Sequence, residues 1–387
     1  MHRGMTGHYD VRGGGIEPVR AFVPNPLPPA PPLDITGPAS RLLYAAHVAC
    51  GRLDGVSLLL PDPDLFLYSY VRREAVLSSQ IEGTQSSLSD LLLFELDDAP
   101  GAPLDDVAEV SDYVAALEHG LARLHDGLPL SGRLLRDIHG KLLARGRGAE
   151  KRPGEFRTSQ NWIGGTRPGN AHFVPPPPAA IPECMAALER FLHDDSAGLS
   201  PLVRAGLAHV QFESIHPFLD GNGRVGRLLI VLVLADAGLL SRPLLYVSLF
   251  LKQHRAEYYR LLDAVRHDGD WEAWIAFFLE GVIQTAQSAV DTAHRLLALF
   301  RDDAARITGQ GRAVASVQRV FDALRARPLS TIAALATRTG ASVPTVSRAV
   351  ESLETLGIVK EITGRKRERV FSYARYLEIL NEGTEPL

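Results

Sequence analysis

The sequence predicts a mainly α-helical protein with a small β-hairpin flap and a C-terminal winged helix-turn-helix domain. Apolar residues recur at helical spacing in a series of segments between positions 40 and 300. Residues 154–178 differ, because β-prone residues surround IGG and PGN and a proline run follows them. After about position 300, three helical patterns precede an alternating segment with a basic turn, an order typical of a winged helix.

Composition indicates a globular protein of two or three domains. The chain has 387 residues, of which 45% are hydrophobic and 22% charged. A net charge of -4 argues against coating nucleic acid with the whole surface, but it allows a local basic patch. Cys50 and Cys184 lie far apart and outside any CxxC pattern, so we expect buried free thiols. Without a signal pattern or a membrane-length apolar run, we expect a cytoplasmic protein with no membrane contact.

Four regions follow along the chain. Residues 1–37 are rich in Gly and Pro and predict an extended arm that buries little surface. An N-terminal helical region spans residues 38–110, and a helical core that contains the flap spans residues 111–300. Residues 301–387 form the predicted winged helix. Its three helical patterns occupy residues 313–327, 330–340 and 342–358.

The stretch HPFLDGNGRVGR, residues 216–227, has the properties of an anion-binding loop. Gly221 and Gly223 allow backbone amides to approach a ligand closely. The helix that follows adds free N–H groups and the positive end of its dipole. Arg224 and Arg227 lie three residues apart on one side of the first turn, a spacing that suits consecutive phosphates.

The same loop offers a metal ligand and a base. Asp220 precedes the glycines and is placed to hold a Mg²⁺ that bridges phosphates. His216 is the side chain of the loop that can accept a proton near neutral pH. A glycine-rich helix connection with solvated charges is the alternative interpretation, but the joint pattern disfavours it.

Other binding motifs fit this stretch poorly. GNGRVG formally matches GxGxxG, but the preceding residues look helical, and no acidic residue lies about 20 positions beyond Gly226. The sequence contains no GxxxxGK[ST] motif. A zinc site could use His209, Glu213 and His216, but HExxH is absent and the glycines would have no role. For His209 and Glu213 we expect surface or helix-cap positions.

HPFLDGNGRVGR resembles the signature of Fic-domain proteins, HxFx[DE]GNGRxxR, and matches it at every defined position. FRTSQNWIGG followed by FVPPPP is also similar to this family, and the resemblance covers roughly residues 40–285. It implies a Fic-type helical bundle. It also implies transfer of AMP from ATP to a Ser, Thr or Tyr hydroxyl of a target protein, with release of diphosphate.

The resemblance also implies roles for single residues. His216 would be the general base, and Asp220 would hold Mg²⁺ between the α- and β-phosphates. Arg224 would steady the phosphates, and Arg227 would bind the γ-phosphate. The implied nucleotide-binding residues of the loop are Gly221, Asn222, Gly223, Arg224, Val225, Gly226 and Arg227.

Two further groups are predicted to surround the nucleotide. The flap at Ile163, Gly164 and Gly165 would align the target by strand addition, which needs only backbone groups. Tyr258 and Tyr259 are predicted to line the base pocket, with a plain core position as the alternative.

SSQIEG, residues 78–83, matches the inhibitory motif [ST]xxxE[GN] of the same family through Ser78, Glu82 and Gly83. Gly83 suits the end of a helix. The resemblance implies that Glu82 pairs with Arg227 and blocks the γ-phosphate position. An exposed Glu on a solvated helix face is the alternative. Removal of AMP from modified targets through a water positioned by Glu82 also stays open.

The C-terminal region suggests a second class of function. The basic turn GRKRER, residues 364–369, suits contacts with phosphates, and Thr345, Ser347 and Arg348 would face a groove. The alternative to a transferase is therefore a DNA-binding regulator whose Fic part senses nucleotide. A protein-interaction or dimerisation module is the remaining interpretation. Self-modification and homodimer formation also stay open.

Overall fold

The structure is a computed structural model. It describes residues 3–12, 18–59, 63–96, 103–196, 198–308 and 314–386. Most of these residues are helical, and the helices form a bundle followed by a helix-turn-helix domain, as the sequence predicts. The helices are α1 (Gly37–Leu59), α2 (Pro63–Ile81), α3 (Leu88–Phe94), α4 (Leu104–His125), α5 (Gly132–Leu142), α6 (Ile181–His193), α7 (Pro201–Ile215), α8 (Asn222–Asp236), α9 (Ser248–Gln253), α10 (Arg255–Asp268), α11 (Trp271–Thr308), α12 (Val314–Ala326), α13 (Ile332–Thr339), α14 (Val343–Thr355) and α15 (Ala374–Asn381).

Helices α7 and α8 pack against each other at the centre of the bundle and are joined by residues 216–221. Every residue of α7 from Ala205 to Ile215 is buried, and so is almost all of α8. Glycines allow the helices to come this close. A β-carbon added at Gly226 would overlap Glu213 Oε1 of α7. Helices α2 and α4 pack beside α8 and bring their side chains to the start of that helix.

The N-terminal segment is more ordered than an extended arm. Strands β1 (Gly7–Arg12) and β2 (Val19–Pro24) pair antiparallel, with Tyr9 opposite Phe22. Phe22 is buried, and its backbone N–H donates to Val174 O at 2.8 Å. The prediction that this region buries little surface missed the hairpin, because the apolar residues of β2 pack on a segment distant in sequence.

The C-terminal domain has the winged arrangement. Helices α12, α13 and α14 are followed by a three-stranded antiparallel sheet in the order β3 (Leu329–Thr331), β5 (Val370–Ser372) and β4 (Lys360–Glu361). Gly340 ends α13 in the left-handed conformation, and Ser342 precedes the first residue of α14. The predicted turn between the two helices therefore lies where the sequence places it.

This domain is joined to the bundle by extensive packing. Helix α11 continues past position 300, the predicted boundary, and its buried Asp303 accepts a hydrogen bond from Tyr373 Oη at 2.7 Å. The segment after α15 lies against α2, where Gln80 Nε2 donates to Thr384 O at 2.7 Å. Lys252 Nζ donates to Gln80 Oε1 at 2.7 Å and to backbone carbonyls of the same segment.

Two further expectations can be compared with the fold. Cys50 and Cys184 are buried and unbridged, which confirms the prediction of free thiols. Among the described helices, none combines the length and the apolar character needed to cross a membrane.

Candidate active site

The predicted anion loop connects α7 to α8 through two unusual backbone conformations. His216 ends α7 with φ 49° and ψ 60°, a left-handed conformation that is uncommon outside glycine. Gly221 precedes α8 with φ 74° and ψ 4°, where glycine is unstrained. The chain therefore reverses sharply between the two helices. The imidazole of His216 and the first N–H groups of α8 belong to the same short turn.

Asn222 holds this turn together. Its side-chain oxygen accepts from Phe218 N and its amide nitrogen donates to Phe218 O, each at 2.9 Å. The side chain is buried and both of its polar atoms are used within the loop. Its predicted contact with nucleotide stays a prediction, and the side chain stabilises the turn that presents Gly221 and Gly223.

His139 of α5 contacts the loop through its ring and through one ring nitrogen. Its ring stacks on Phe218, with centroids 3.7 Å apart and an interplanar angle of 4°. Gly154 N donates to Nδ1 at 2.8 Å, so Nε2 carries the proton and donates to Asp220 O at 3.1 Å. Burial lowers the pKa of His139 to about 4, so the ring is neutral at neutral pH. No local sequence signal points to this residue.

His216 has the properties of a proton acceptor. Burial, together with the charges of Arg157 and Arg266, lowers its pKa well below the ordinary value. Its Nδ1 has no hydrogen-bond partner within the described part of the chain. Arg157 also fixes the backbone, because its Nε donates to His216 O at 2.9 Å. A neutral imidazole with a fixed backbone can accept a proton from a bound hydroxyl.

Arg227 lies in the second turn of α8, and its guanidinium donates hydrogen bonds to residues at the C-terminal end of α2. Its Nε donates to Ser78 Oγ at 2.8 Å, and its Nη2 donates to Ser78 O at 3.0 Å. Nη2 also donates to Glu82 Oε1 at 2.7 Å. Arg227 is 1% exposed and Glu82 31% exposed at the side chain. The two residues that the family resemblance pairs are thus in direct contact.

Glu82 also lies at the start of α8. A β-carbon added at Gly223 would overlap Glu82 Oε1, so the carboxylate sits directly against this glycine. Burial acts to raise the pKa of Glu82, but Arg227 and Arg224 outweigh it and hold the pKa below its ordinary value. A carboxylate therefore occupies a position that the helix dipole and two guanidinium groups make favourable for an anion.

Arg224 is the second buried guanidinium of the site. Its Nη1 lies 2.7 Å from Glu109 Oε1 of α4, and its Nη2 lies 3.7 Å from Asp220 Oδ1. The exposed fraction is 2% for Arg224, 1% for Glu109 and 34% for Asp220. Burial raises the pKa of Glu109 although Arg224 and Arg147 act to lower it. No sequence signal points to Glu109, because its partner lies on a different helix.

The carboxylate of Asp220 fits a metal that also binds phosphates. No cluster of three or more His, Cys, Asp or Glu side chains in the described ranges could hold a metal ion by itself. Asp220 Oδ1 accepts from Gly221 N at 2.6 Å, and a third of the side chain stays exposed at the loop. A single carboxylate with phosphate and water oxygens is a common way of binding Mg²⁺. These residues fit Mg²⁺ only together with a nucleotide.

Other predicted residues lie deeper in the structure. Val225 is fully buried, and Gly226 packs on α7, so their predicted contacts with nucleotide stay predictions. His209 and Glu213 were expected at the surface or at a helix cap, and this expectation is wrong. Both lie in the buried interface between α7 and α8, where His209 Nδ1 is 2.9 Å from Gly226 O. The absence of HExxH disfavoured zinc, but it gave no information about burial.

Tyr258 and Tyr259 differ in exposure. Tyr258 is buried, and its hydroxyl lies 2.9 Å from His209 Nε2. Tyr259 is 39% exposed, and its ring lies 5.0 Å from that of Tyr258. Tyr258 therefore has the core position that the sequence left as an alternative, whereas Tyr259 is accessible to a ligand.

The predicted flap contains a single β-bridge. Ile163 pairs antiparallel with Phe173, and Ile163 N donates to Phe173 O at 2.8 Å. Gly164 and Gly165 both have φ 68°, so the chain turns back in a conformation that favours glycine. The flap is attached to the bundle by the bond between Phe22 and Val174 described above. Its role in binding a target stays a prediction.

The exposed side of the winged domain is basic. A cavity of about 570 Å³ lies between the turn at residues 365–369 and the first residues of α13 and α14. Ile332 and Val343 contribute apolar surface, and Lys366 and Arg367 contribute exposed positive charge. Arg348 on α14 is also exposed.

Comparison with known protein families gives three matches. Residues 40–122 match the Fic/DOC family N-terminal region, and residues 129–234 match the Fic/DOC family. Residues 316–362 match the IclR helix-turn-helix domain. The second match contains the whole anion loop, and the first contains the segment that carries Glu82 and Glu109.

Curated relatives are similar over part of their length. The chain is 30% identical over 182 residues to Protein adenylyltransferase Fic of Drosophila ananassae, covering 46% of this chain and 33% of that protein. It is 31% identical over 182 residues to the protein of the same name in Drosophila virilis, covering 46% and 34%. The chain thus spans about a third of the length of the curated relatives it matches.

Solved structures support the fold. A Fic family protein from Desulfovibrio desulfuricans superimposes with a TM-score of 0.56 at 21% identity, covering 87% of this chain and 96% of that one. A Fic domain containing signaling protein from Bacteroides thetaiotaomicron has a TM-score of 0.53 at 22% identity, covering 65% and 97%.

Proposed function

From the matches of residues 40–122 and 129–234 to the Fic/DOC family, we propose that the chain transfers AMP from ATP to a hydroxyl group of a target protein. One observation carries the proposal. A neutral His216 with an unpartnered ring nitrogen shares a single turn with the N-terminus of α8 and its two buried arginines. A base and an anion site are thereby combined in one place, as nucleotidyl transfer to a hydroxyl requires.

His216 acts on the attacking hydroxyl. As the hydroxyl oxygen forms a bond to the α-phosphorus, its proton moves to the imidazole. The bond between the α-phosphorus and the bridging oxygen breaks, and diphosphate leaves. The low pKa of His216 keeps the ring unprotonated at neutral pH and therefore ready to accept.

The loop and α8 bind the triphosphate. Backbone N–H groups at Gly221 and Gly223 and the helix dipole stabilise the negative charge. Arg224 has an Nε without a hydrogen-bond acceptor among the described residues, so this buried donor is available for a phosphate oxygen. Asp220 would hold the Mg²⁺, which when bound neutralises charge on the leaving diphosphate. Positioning and charge stabilisation account for the catalysis, because no covalent intermediate is required.

Glu82 inhibits this reaction in the proposed scheme. Its carboxylate contacts Arg227 at 2.7 Å and lies against Gly223, where the terminal phosphate would otherwise bind. A nucleotide that binds beside Glu82 must leave the γ-phosphate without this arginine, and the α-phosphate is then misplaced. Removal of Glu82 should therefore activate the transfer.

The test is intact-mass analysis of the Glu82→Gly protein after incubation with ATP and Mg²⁺, with the wild type alongside. Self-modification makes the protein its own acceptor, and we expect the variant to gain the mass of one AMP. His216→Ala in the Glu82→Gly protein should abolish the gain while leaving ATP binding intact. A His216→Ala variant that labels as fast as its parent would contradict the assigned base. A gain of a different phosphate-containing group would revise the donor, and loss of AMP from labelled protein would indicate removal activity.

We propose DNA as a second partner, for the C-terminal domain. Support comes from the match to a helix-turn-helix domain and from the exposed basic turn with Lys366 and Arg367 beside α14. Binding of the full chain to duplex DNA should weaken steeply with rising salt. If no duplex DNA binds the chain even at low salt, a protein-interaction role for this domain is favoured.

A further inference from the structure

Glu109 is a buried carboxylate that the proposed reaction leaves without a role. It lies in the second turn of α4 with 1% of its side chain exposed, 2.7 Å from Arg224 Nη1. Arg147 Nη2, on a half-exposed side chain, approaches the same oxygen at 3.4 Å. No hydroxyl, phosphate or leaving group in the proposed scheme needs a negative charge at this position.

Arg224 stands between two carboxylates. Its Nη1 forms an ion pair with Glu109 at 2.7 Å, without hydrogen-bond geometry, whereas its Nη2 is 3.7 Å from Asp220 Oδ1, beyond hydrogen-bond distance. A shift of about 1 Å would bring the guanidinium into a hydrogen bond with Asp220. Glu109 thus competes with Asp220 for the same cation, and in the present arrangement Glu109 has the closer contact.

This competition matters for the metal. A carboxylate that is hydrogen-bonded to arginine has part of its lone pairs occupied and has a positive charge beside it. Both effects weaken its attraction for a second cation. Because Arg224 is buried, it must keep a carboxylate partner whenever phosphates are absent. If Glu109 were neutral, Asp220 would be the nearest remaining partner.

We propose that Glu109 is a positioning residue that holds the Arg224 guanidinium away from Asp220, so that the Asp220 carboxylate stays available for the divalent cation that accompanies ATP. The inference rests on the proposed function, since Asp220 and the nucleotide are assigned there. It adds a residue on a different helix that acts on the metal through Arg224 and does not touch metal or nucleotide itself.

The test measures metal binding in the full chain. Mn²⁺ is titrated into the Glu82→Gly protein saturated with α,β-methylene-ATP, whose α–β linkage cannot be cleaved, and free Mn²⁺ is followed by electron paramagnetic resonance. We expect Glu109→Gln in this parent to weaken Mn²⁺ binding by about 10- to 100-fold, the usual range for groups that orient a metal ligand. AMP transfer should show a matching increase in the metal concentration needed for half-maximal rate.

Asp112→Asn in the same parent is the matched control. Asp112 is also a buried carboxylate of α4 paired with an arginine, since Arg145 Nε lies 2.9 Å from its Oδ1, but it has no contact with the loop. The Asp112→Asn substitution should leave Mn²⁺ affinity unchanged. Glu109→Asp keeps the charge, so its Mn²⁺ affinity should stay much closer to the parent than that of Glu109→Gln. If the Gln variant fails to fold, Glu109→Asp becomes the test: its side chain is one methylene shorter, so Mn²⁺ affinity should fall by a small but measurable factor, and an affinity equal to the parent would overturn the role.

The outcomes separate the two proposals. Mn²⁺ affinity of Glu109→Gln equal to that of an active parent would overturn the positioning role and leave the transferase intact. Equal losses in Glu109→Gln, Glu109→Asp and Asp112→Asn would also overturn it, because they would show a general effect of disturbing α4. A parent that binds neither analogue nor Mn²⁺ and transfers no AMP would overturn the proposed function itself.

Discussion

The strength of the proposed inhibition can be worked out from the contacts of Glu82. Its carboxylate accepts one charge-assisted hydrogen bond, from Arg227 at 2.7 Å, with 31% of the side chain exposed. Such a bond contributes about 1.5–3 kcal/mol. If ATP can bind productively only when this bond is broken, the competent fraction of the wild type is about 1 in 13 to 1 in 160. Glu82→Gly should therefore raise the initial rate of AMP transfer about 10- to 150-fold at saturating ATP.

Glu82→Gln separates charge from shape. The amide oxygen can still accept from the charged Arg227, but the contact is weaker because the negative charge of the acceptor is lost. The rate of AMP transfer by Glu82→Gln should thus lie between those of the wild type and Glu82→Gly. Glu95→Gln is the control, because Glu95 pairs with Arg72 of α2 at 2.8 Å, away from the anion loop. It should leave the rate of transfer unchanged.

The assay is the initial rate of AMP incorporation from labelled ATP, with thermal unfolding recorded for each protein. Equal rates for the wild type, Glu82→Gln and Glu82→Gly in folded proteins would refute the mechanism. Activation of Glu95→Gln as large as that of Glu82→Gly would also refute it, since any loosening of α2 would then suffice. The geometry requires the highest rate for Glu82→Gly, an intermediate rate for Glu82→Gln and the lowest rate for the wild type.

Four other outcomes follow from the structure. The pKa of Glu82 is below its ordinary value, so the pair with Arg227 is lost only as pH falls through that low pKa, and wild-type transfer measured from pH 8 to 5.5 should show no activation. Burial raises the pKa of Glu74 to about 7, so stability declines as pH rises from about 4.5 to 7, and Glu74→Gln should flatten this part of a thermal-unfolding profile. Lys252→Met leaves Gln80 Oε1 without its 2.7 Å donor and should lower the melting temperature by at least about 2 °C in calorimetry. Replacing Lys366 and Arg367 by Ala should reduce the salt dependence of DNA binding by up to about two in log–log slope, and an unchanged slope would remove the basic turn from the interface.

The candidate catalytic loop was predictable because the residues that form it are contiguous in sequence. His216, Asp220, the glycines and both arginines lie within residues 216–227, and a turn between two helices brings them together without distant contacts. The same holds for the helix-turn-helix, whose glycine turn is a local signal. Glu82 could be linked to Arg227 only through the second motif, since the two residues are far apart in the chain.

The missed features all depend on tertiary packing. Glu109 and His139 lie in ordinary amphipathic helices, where nothing local indicates which buried polar group will meet the loop. His209 and Glu213 were misplaced for the same reason. A polar residue on α7 is expected at the surface until α8 is known to cover it. The N-terminal hairpin escaped prediction because Phe22 packs on Phe173 of the flap region, which is distant in sequence.

In the proposed scheme, the surroundings of the two loop arginines explain why Glu82 inhibits and Glu109 does not. Both guanidinium groups are buried before any phosphate arrives, so each requires an anionic partner within the protein. Glu82 lies just beyond the end of α2, 31% exposed and followed by Gly83 with φ 99°, so it can move aside without disturbing a helix. Glu109 is 1% exposed within α4 and can leave Arg224 only if that helix moves. A phosphate can therefore replace the first carboxylate at modest cost, whereas the second stays in place as a permanent counter-charge during binding and transfer.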